Sequence, residues 1–318
     1  MTKSYDVICI GAALVDMVAR VDRHPADDDE VFVSDLKILA GGAAANTAYA
    51  CARLGLSTAF LGKLGLNDTF SNKIINEFNE AKVATTLIKY SKKYSTGSAY
   101  VALNREGDRR IFAHSGAANY LSGDNIIEGD LSSTKTIFLS SLKNLEPFIK
   151  AAKIGKKNQI PVILNPGMLI IEQGLDNIKL LLENIDILIL SQKEFSILMN
   201  IQELDLDLKT IEGTMKKLIK LGIKVIIVTR GEIGALLYTN LGNELIPSIE
   251  VRHVIDTTGA GDAFSAGFIY GFVQNLSFEF EALRKNVKIG NFIAGKCIQK
   301  LGARNGIPLK KELKLVFP

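Results

Sequence analysis

The sequence predicts an α/β fold with a mostly parallel central sheet covered by helices, and three observations carry that expectation. Short β-branched runs alternate with longer helical patterns along most of the chain. The strand-like runs are almost continuously apolar, as strands buried on both faces are. A length of 318 residues with 47% hydrophobic content is enough to bury one large core.

Taken in order, residues 7–10 read as the first buried strand, followed by a helix over 43–54, a strand at 58–61 and a helix over 68–80. Strands at 136–139, 162–164, 187–190 and 225–229 alternate with helices over 145–157, 171–183 and 208–221. After Gly261 the chain ends in helices, roughly 261–274 and 278–300. Two segments break the rhythm: 31–39, and 97–112 with its Asn104-Arg105-Glu106-Gly107-Asp108 turn, read as half-exposed strands and a hairpin with no helix between them. No repeat, low-complexity tract or Gly/Pro-rich linker divides the chain, so 1–318 is read as a single domain.

Composition excludes several function classes. The formal charge is only +4, and the basic doublets Lys92-Lys93, Arg109-Arg110, Lys156-Lys157 and Lys216-Lys217 are scattered, which argues against a nucleic-acid partner. Cys9, Cys51 and Cys297 stand singly in apolar settings, as reduced core thiols of a cytoplasmic protein do. His24, His114 and His253 are equally dispersed and suggest neither a histidine metal site nor a triad. The N-terminal apolar run is bracketed by Asp6 and Asp16, unlike a signal peptide, and no run reaches membrane-spanning length, so no membrane association is expected.

The chemistry concentrates in Asp256-Thr257-Thr258-Gly259-Ala260-Gly261-Asp262-Ala263-Phe264, which runs into the apolar pattern Phe264, Phe268, Gly271, Phe272. Glycine at 259 and 261 lets the backbone approach a ligand and adopt positive φ, and the first N–H groups of a helix lack internal partners. The segment reads as an anion site with a carboxylate beside it, or as an ordinary helix start. Asp16, Gly41-Gly42 and Asn165 all fall just beyond strand ends, where doubly wound sheets bind ligands. A carboxylate at 16 and an amide at 46 suit polyol recognition; Asp16 alone also reads as a turn or cap residue.

The segment 256–268 resembles the C-terminal signature of the PfkB carbohydrate kinases, the ribokinase-like family, at nearly every position. Ala40-Gly41-Gly42-Ala43-Ala44-Ala45-Asn46, continuing to Gly55, resembles its N-terminal signature, and the similarity extends from Gly11 to Gly302-Ala303-Arg304. The resemblance implies a three-layer α/β sandwich with a small β-sheet lid, its strands inserted near 17–40 and 97–118. It implies an ATP- and Mg²⁺-dependent kinase acting on an alcohol group of a small carbohydrate, with a nucleoside kinase as the alternative and a non-catalytic sugar-binding module as a third reading. Asp262 would be the base, with the amides of Gly259, Ala260 and Gly261 as the anion hole. Asp16, Gly41, Gly42, Asn46, Asn165 and Asp256 would hold the substrate. Ser191, Thr229, Gly231, Gly234 and Asn291 would meet the nucleotide, and Glu194 would hold Mg²⁺ through water or serve only as a first-turn helix carboxylate. A monovalent cation such as K⁺ and a homodimer formed through the lid also follow from the resemblance.

The chain departs from the family pattern in two places. Ser191-Gln192-Lys193-Glu194 stands where the family has Asn-x-x-Glu, and the glycine-pair motif lacks the Lys found in many ribokinases. Arg109 and Arg110 on the lid either reach an acidic sugar or are solvated. A carboxylate at a helix N-terminus also holds its proton weakly, which makes Asp262 a poor base near neutrality; a loose phosphoryl-transfer transition state tolerates that. Two other motifs fail on context. Gly290 to Cys297 nearly spells a P-loop but lacks a preceding strand and ends in Cys. Val7-Ile8-Cys9-Ile10-Gly11 opens like a dinucleotide fold but lacks the following glycines.

Overall fold

The computed structural model describes residues 4–201 and 208–317. Fourteen strands follow in chain order: β1 (Tyr5–Gly11), β2 (Leu14–Val21), β3 (Val33–Gly41), β4 (Thr58–Leu61), β5 (Lys63–Gly65), β6 (Lys89–Ser91), β7 (Thr96–Leu103) and β8 (Arg109–Gly116), then β9 (Thr134–Ser140), β10 (Val162–Asn165), β11 (Ile187–Ser191), β12 (Val225–Thr229), β13 (Ala235–Thr239) and β14 (Gly242–Ile246). The central sheet has eight strands in the order β14-β13-β12-β11-β10-β9-β1-β4, parallel from β12 to β4 and antiparallel at the β13–β14 edge.

Strand alternation sorts the core into two halves. Val7 and Cys9 point to one side, with Phe264, Phe268 and Phe272 of helix Ala260–Phe272 and Ile293 of helix Phe280–Cys297. Ile8 and Ile10 point to the other, with Phe148, Ile178, Leu181, Phe195 and Met215 from the opposite helices. The result is a helix–sheet–helix sandwich of three layers. Among the described residues, no helix is long and apolar enough to cross a membrane.

The six parallel strands coincide with the six expected runs. The antiparallel β13–β14 hairpin was not foreseen. Its connecting residues Asn240-Leu241 lack the Asn-Gly or Asp-Gly pair that marks a tight hairpin turn. The helix expected over 171–183 is two pieces, Met168–Ile171 and Leu175–Leu182, separated at Gly174, whose φ of 81° a helix cannot accommodate.

A second sheet, β3-β2-β7-β8, stands off the main one. It contains the two expected strand segments and also β2, so Asp16 lies within a strand of this sheet and not in a loop after β1. Asp16 faces Leu39 and Ala99 across the ladder, which puts it on one face with them.

The register aligns the carboxyl ends of the central strands. Gly11 pairs with Ser140, Asn165 with Ser140, and Ser191 with Thr229. The chain goes from β1 to β4 on one side and returns to β9 on the other, so the strand order reverses at β1/β9 and leaves a crevice there.

Candidate active site

Helix Ala260–Phe272 begins at this crevice. Gly259 is its N-cap, with φ 78° and ψ 4°, and a Cβ there would lie 2.3 Å from the Ala303 Cβ. Glycine is therefore required at 259 by both conformation and packing. Gly261 differs from the expectation of positive φ: it sits inside the first helical turn, is exposed, and a Cβ on it would meet nothing within 4 Å. Its bareness keeps space open on the cavity side. Of the three amides expected to form an anion hole, that of Ala260 is committed to Thr257 O at 3.2 Å. Gly261, at the exposed tip, is left as the better placed donor.

Asp256 was expected in substrate binding, but its carboxylate ties two loops together. Oδ1 accepts from the Thr258 N–H at 3.0 Å and Oδ2 from the Gly302 N–H at 2.8 Å. Burial alone would raise its pKa, but these hydrogen bonds and the charge of Arg109 hold the carboxyl below the ordinary range.

Asp262 projects from the first turn into a cavity of about 210 Å³ that it shares with Ser141, Asn165, Ser191, Glu194 and Thr229. Asn46 Nδ2 donates to Asp262 Oδ2 at 2.9 Å, and Asn46 Oδ1 accepts from Arg304 Nε at 3.0 Å. The carboxyl pKa is pushed up to about 7, chiefly by burial; Asn46 and Arg304 oppose the rise, while Glu194 and Asp16 add to it. Burial thus outweighs the helix N-terminus, and the weak proton hold expected from the helix dipole is reversed. A carboxylate titrating near 7 is well matched to general-base work at neutral pH.

On the lid side, Asp16 has its pKa raised by burial, with Arg304 opposing. A Cβ on Gly41 would lie 2.3 Å from Asp16 Oδ2, so this glycine makes room for the carboxylate. Gly42, with φ 94°, is the N-cap of helix Ala43–Arg53, and its close neighbour is the Ala12–Ala13 backbone. Asn165 Nδ2 donates to Ser265 Oγ at 3.2 Å, which ties β10 to helix Ala260–Phe272. Of the expected sugar residues, Asn165 lines the Asp262 cavity, Asn46 bonds Asp262 and Asp16 acts on it through charge, while Gly41, Asn165 and Asn46 also make contacts within the protein.

A larger cavity of about 620 Å³ opens on the other side of the Gly259-Ala260-Gly261 turn. Thr229, Gly231, Gly234 and Asn291 line it, together with Ile249, Val251 and Phe264. Asn291 Nδ2 donates to Ile246 O and Pro247 O, both at 3.0 Å, and so fixes the exit of β14 as one wall. Gly261 and Thr229 line both cavities, which meet at the start of the helix.

Ser191 caps helix Gln192–Met199 in a capping box with Glu194. Ser191 N and Oγ donate to Glu194 Oε2 at 2.7 and 2.8 Å, and Glu194 N donates to Ser191 Oγ at 3.2 Å. Oε1 has no partner among the described residues. The serine thus orients the carboxylate from behind, and Ser191 and Glu194 both border the Asp262 cavity. A separate cavity of about 390 Å³ lies at the opposite strand ends, where Lys224 and Asp186 pair at 2.8 Å.

The model of the pfkB family carbohydrate kinases matches residues 4–310. The chain belongs to that family. It is similar to a ribokinase of Staphylococcus aureus, 29% identical over 98% of this chain and 99% of the relative. A deoxyribokinase of Salmonella typhi is 30% identical over 92% and 94%. The structure of Arabidopsis thaliana ribokinase complexed with ribose and ATP superposes with a TM-score of 0.86 at 28% identity, covering 99% of each chain. The chain is thus a carbohydrate kinase with the ribokinase-like fold.

One residue at the centre of this pfkB kinase was missed as a site residue. Arg304 is 7% exposed and links Asn46 to Glu77, yet it entered the reading only as the last residue of Gly302-Ala303-Arg304. Arg110, by contrast, donates to Pro25 O at 3.3 Å, and both lid arginines are exposed.

Proposed function

We propose that this pfkB kinase transfers the γ-phosphoryl group of ATP to a hydroxymethyl group of a small free sugar, with Asp262 as the base. One observation carries the reading: the Asp262 carboxyl lines the smaller cavity next to Gly261, which lines both cavities at the start of the helix. In this reading the sugar is held between Asp262 and Asp16 of the small sheet, whose charges act on one another, and ATP lies in the larger cavity along Thr229, Gly231, Gly234 and Asn291. The sugar oxygen attacks the γ-phosphorus, the bond from that phosphorus to the β–γ bridging oxygen breaks, and ADP leaves. The hydroxyl proton passes to Asp262. Gly261 N–H and the positive end of the helix face the charge on the transferred group.

Among the described residues, no three His, Cys, Asp or Glu side chains converge on a point, so there is no closed metal cage. Mg²⁺ enters with nucleotide phosphates and one or two carboxylates. Glu194, whose Oε2 is held by Ser191, is the residue that would hold it, through Oε1 and a water. When bound, the ion neutralises phosphate charge and orients the phosphates. A monovalent cation is assigned no residues. A cytoplasmic setting belongs to the same reading, in which Cys9, Cys51 and Cys297 stay reduced as buried free thiols.

The substrate class is tested by thermal unfolding of the protein with ATP, NAD, free sugars, sugar acids and nucleosides. Stabilisation by ATP and by a free sugar, with none by NAD, is expected; stabilisation by nucleosides alone would contradict the sugar reading. Asp16→Ala is expected to raise the KM for sugar about tenfold or more, the scale of a charged hydrogen bond worth roughly 1.5–3 kcal/mol. The KM for ATP should stay nearly constant; equal effects on both would remove Asp16 from the sugar site.

The homodimer through the lid belongs to the same proposal. Phe32, just before β3, is 87% exposed and Phe112 of β8 70%, and Leu36 and Ile38 of β3 and Ile111 of β8 are also exposed. Such a concentration of exposed apolar side chains is a surface that a second copy would cover. Phe112→Glu is expected to shift the sedimentation coefficient from dimer to monomer; a parent protein sedimenting as a monomer would contradict the assignment.

A further inference from the structure

Arg304 stands behind the base and not in front of it. Its Nη1 donates to Glu77 Oε2 at 2.7 Å, and Lys73 reaches the same carboxylate at 3.1 Å. The guanidinium carbon lies 5.0 Å from the Tyr49 ring centre and 5.7 Å from that of Phe78, a cation held between two aromatic faces. The Nε donates to Asn46 Oδ1, and Asn46 Nδ2 donates to Asp262 Oδ2. A continuous series Glu77, Arg304, Asn46, Asp262 therefore runs from helix Thr69–Ala81 to the base.

Packing alone does not account for this arginine. A buried guanidinium is costly unless its donors are met, and Nη2 has no partner among the described residues. An apolar side chain would fill the space between Tyr49 and Phe78 more cheaply. What an apolar side chain could not do is discriminate between the two ends of the Asn46 amide. The oxygen and nitrogen of an amide are nearly equal in shape, and a flipped Asn46 would set its carbonyl oxygen against the Asp262 carboxylate. A guanidinium has donors and no acceptor, so it tolerates only the orientation with Oδ1 toward itself and the NH₂ toward Asp262.

We propose that Arg304 is a positioning residue for phosphoryl transfer: it fixes the Asn46 amide so that the NH₂ pins Asp262 Oδ2 and leaves Oδ1 directed at the sugar hydroxyl. The inference rests on Asp262 being the base. It assigns Arg304 an effect on turnover exerted through Asn46, and none on nucleotide binding.

The test is a double-mutant cycle on kcat and KM with Arg304→Met and Asn46→Ala, the folded fraction of each variant being checked by thermal unfolding. Arg304→Met is expected to lower kcat about tenfold or more, as loss of alignment at a reacting group does, with the KM for ATP within about twofold of the parent. In the Asn46→Ala background the same change should cost no more than about twofold further. Arg304→Lys keeps the buried charge, but its single ammonium cannot span Glu77 and Asn46 together. It is expected to fall between parent and Met variant, and it serves where the Met variant does not fold. Parental kcat in the Lys and Met variants, or losses that multiply fully in the double variant, would overturn the positioning role. A parental kcat in Asp262→Asn would instead sink the base assignment itself, so the two failures are separable.

Discussion

Asp262→Asn is expected to lower kcat by at least roughly a hundredfold, the usual scale for removing a general base, while sugar and ATP still bind. The amide keeps the shape and can still accept from Asn46, but it cannot take the sugar proton. Near-parental turnover would remove Asp262 from the mechanism. The parent rate should rise with pH through about 7, because the base works only when deprotonated and burial has raised its pKa to that value. Stability runs the opposite way. Asp262 binds its proton more tightly in the folded protein than in the unfolded chain, so its favourable contribution is complete at acid pH and is lost as pH rises through about 7. Asp262→Asn should therefore raise the thermal midpoint most clearly at pH 8, a gain in stability at the expense of function. A midpoint that falls at pH 8 would contradict the burial of an ionised carboxylate.

Gly261→Ala is expected to leave the thermal midpoint unchanged within a degree or two and to lower kcat on the order of a hundredfold, the penalty for displacing reacting groups by about 1 Å. The added methyl meets no protein atom within 4 Å and the backbone is helical, so folding has no reason to suffer. The open space it fills faces the two cavities. Gly259→Ala makes the control, since its methyl would strike Ala303 and its φ is positive. Loss of stability is expected there in addition to loss of activity. Unchanged kinetics in Gly261→Ala would move the phosphoryl path away from this helix start.

The comparison of the two glycines shows what the sequence could and could not convey. Both belong to one short motif and looked interchangeable, but only the fold reveals that one packs on the Gly302-Ala303 loop and the other faces open space. The parallel strands were legible because strands buried on both faces are continuous apolar runs. The β13–β14 hairpin was not, because its turn lacks the usual residues. Asn165 lines the Asp262 cavity, while the Asp256 carboxylate bonds two loops and Gly41 packs on Asp16; position in the sequence cannot distinguish a side chain that faces a cavity from one that braces a neighbouring loop. The local cue at Asp262, a helix N-terminus, gave the wrong sign for its proton affinity because the burial comes from elements far away in the chain. Arg304 was obscured for the same reason: its partners Asn46 and Glu77 are 258 and 227 residues distant.

Transfer of a phosphoryl group from ATP to a small sugar is the activity on which the proposed roles of Asp262, Asp16 and Arg304 all depend. The most direct measurement is ADP release at saturating MgATP across free pentoses and hexoses, sugar acids, sugar phosphates and nucleosides, with the phosphorylated product identified by its mass. ADP release that depends on a free sugar, stoichiometric with a sugar monophosphate, is expected. ADP release that no sugar accelerates, or that only a nucleoside accelerates, would contradict it.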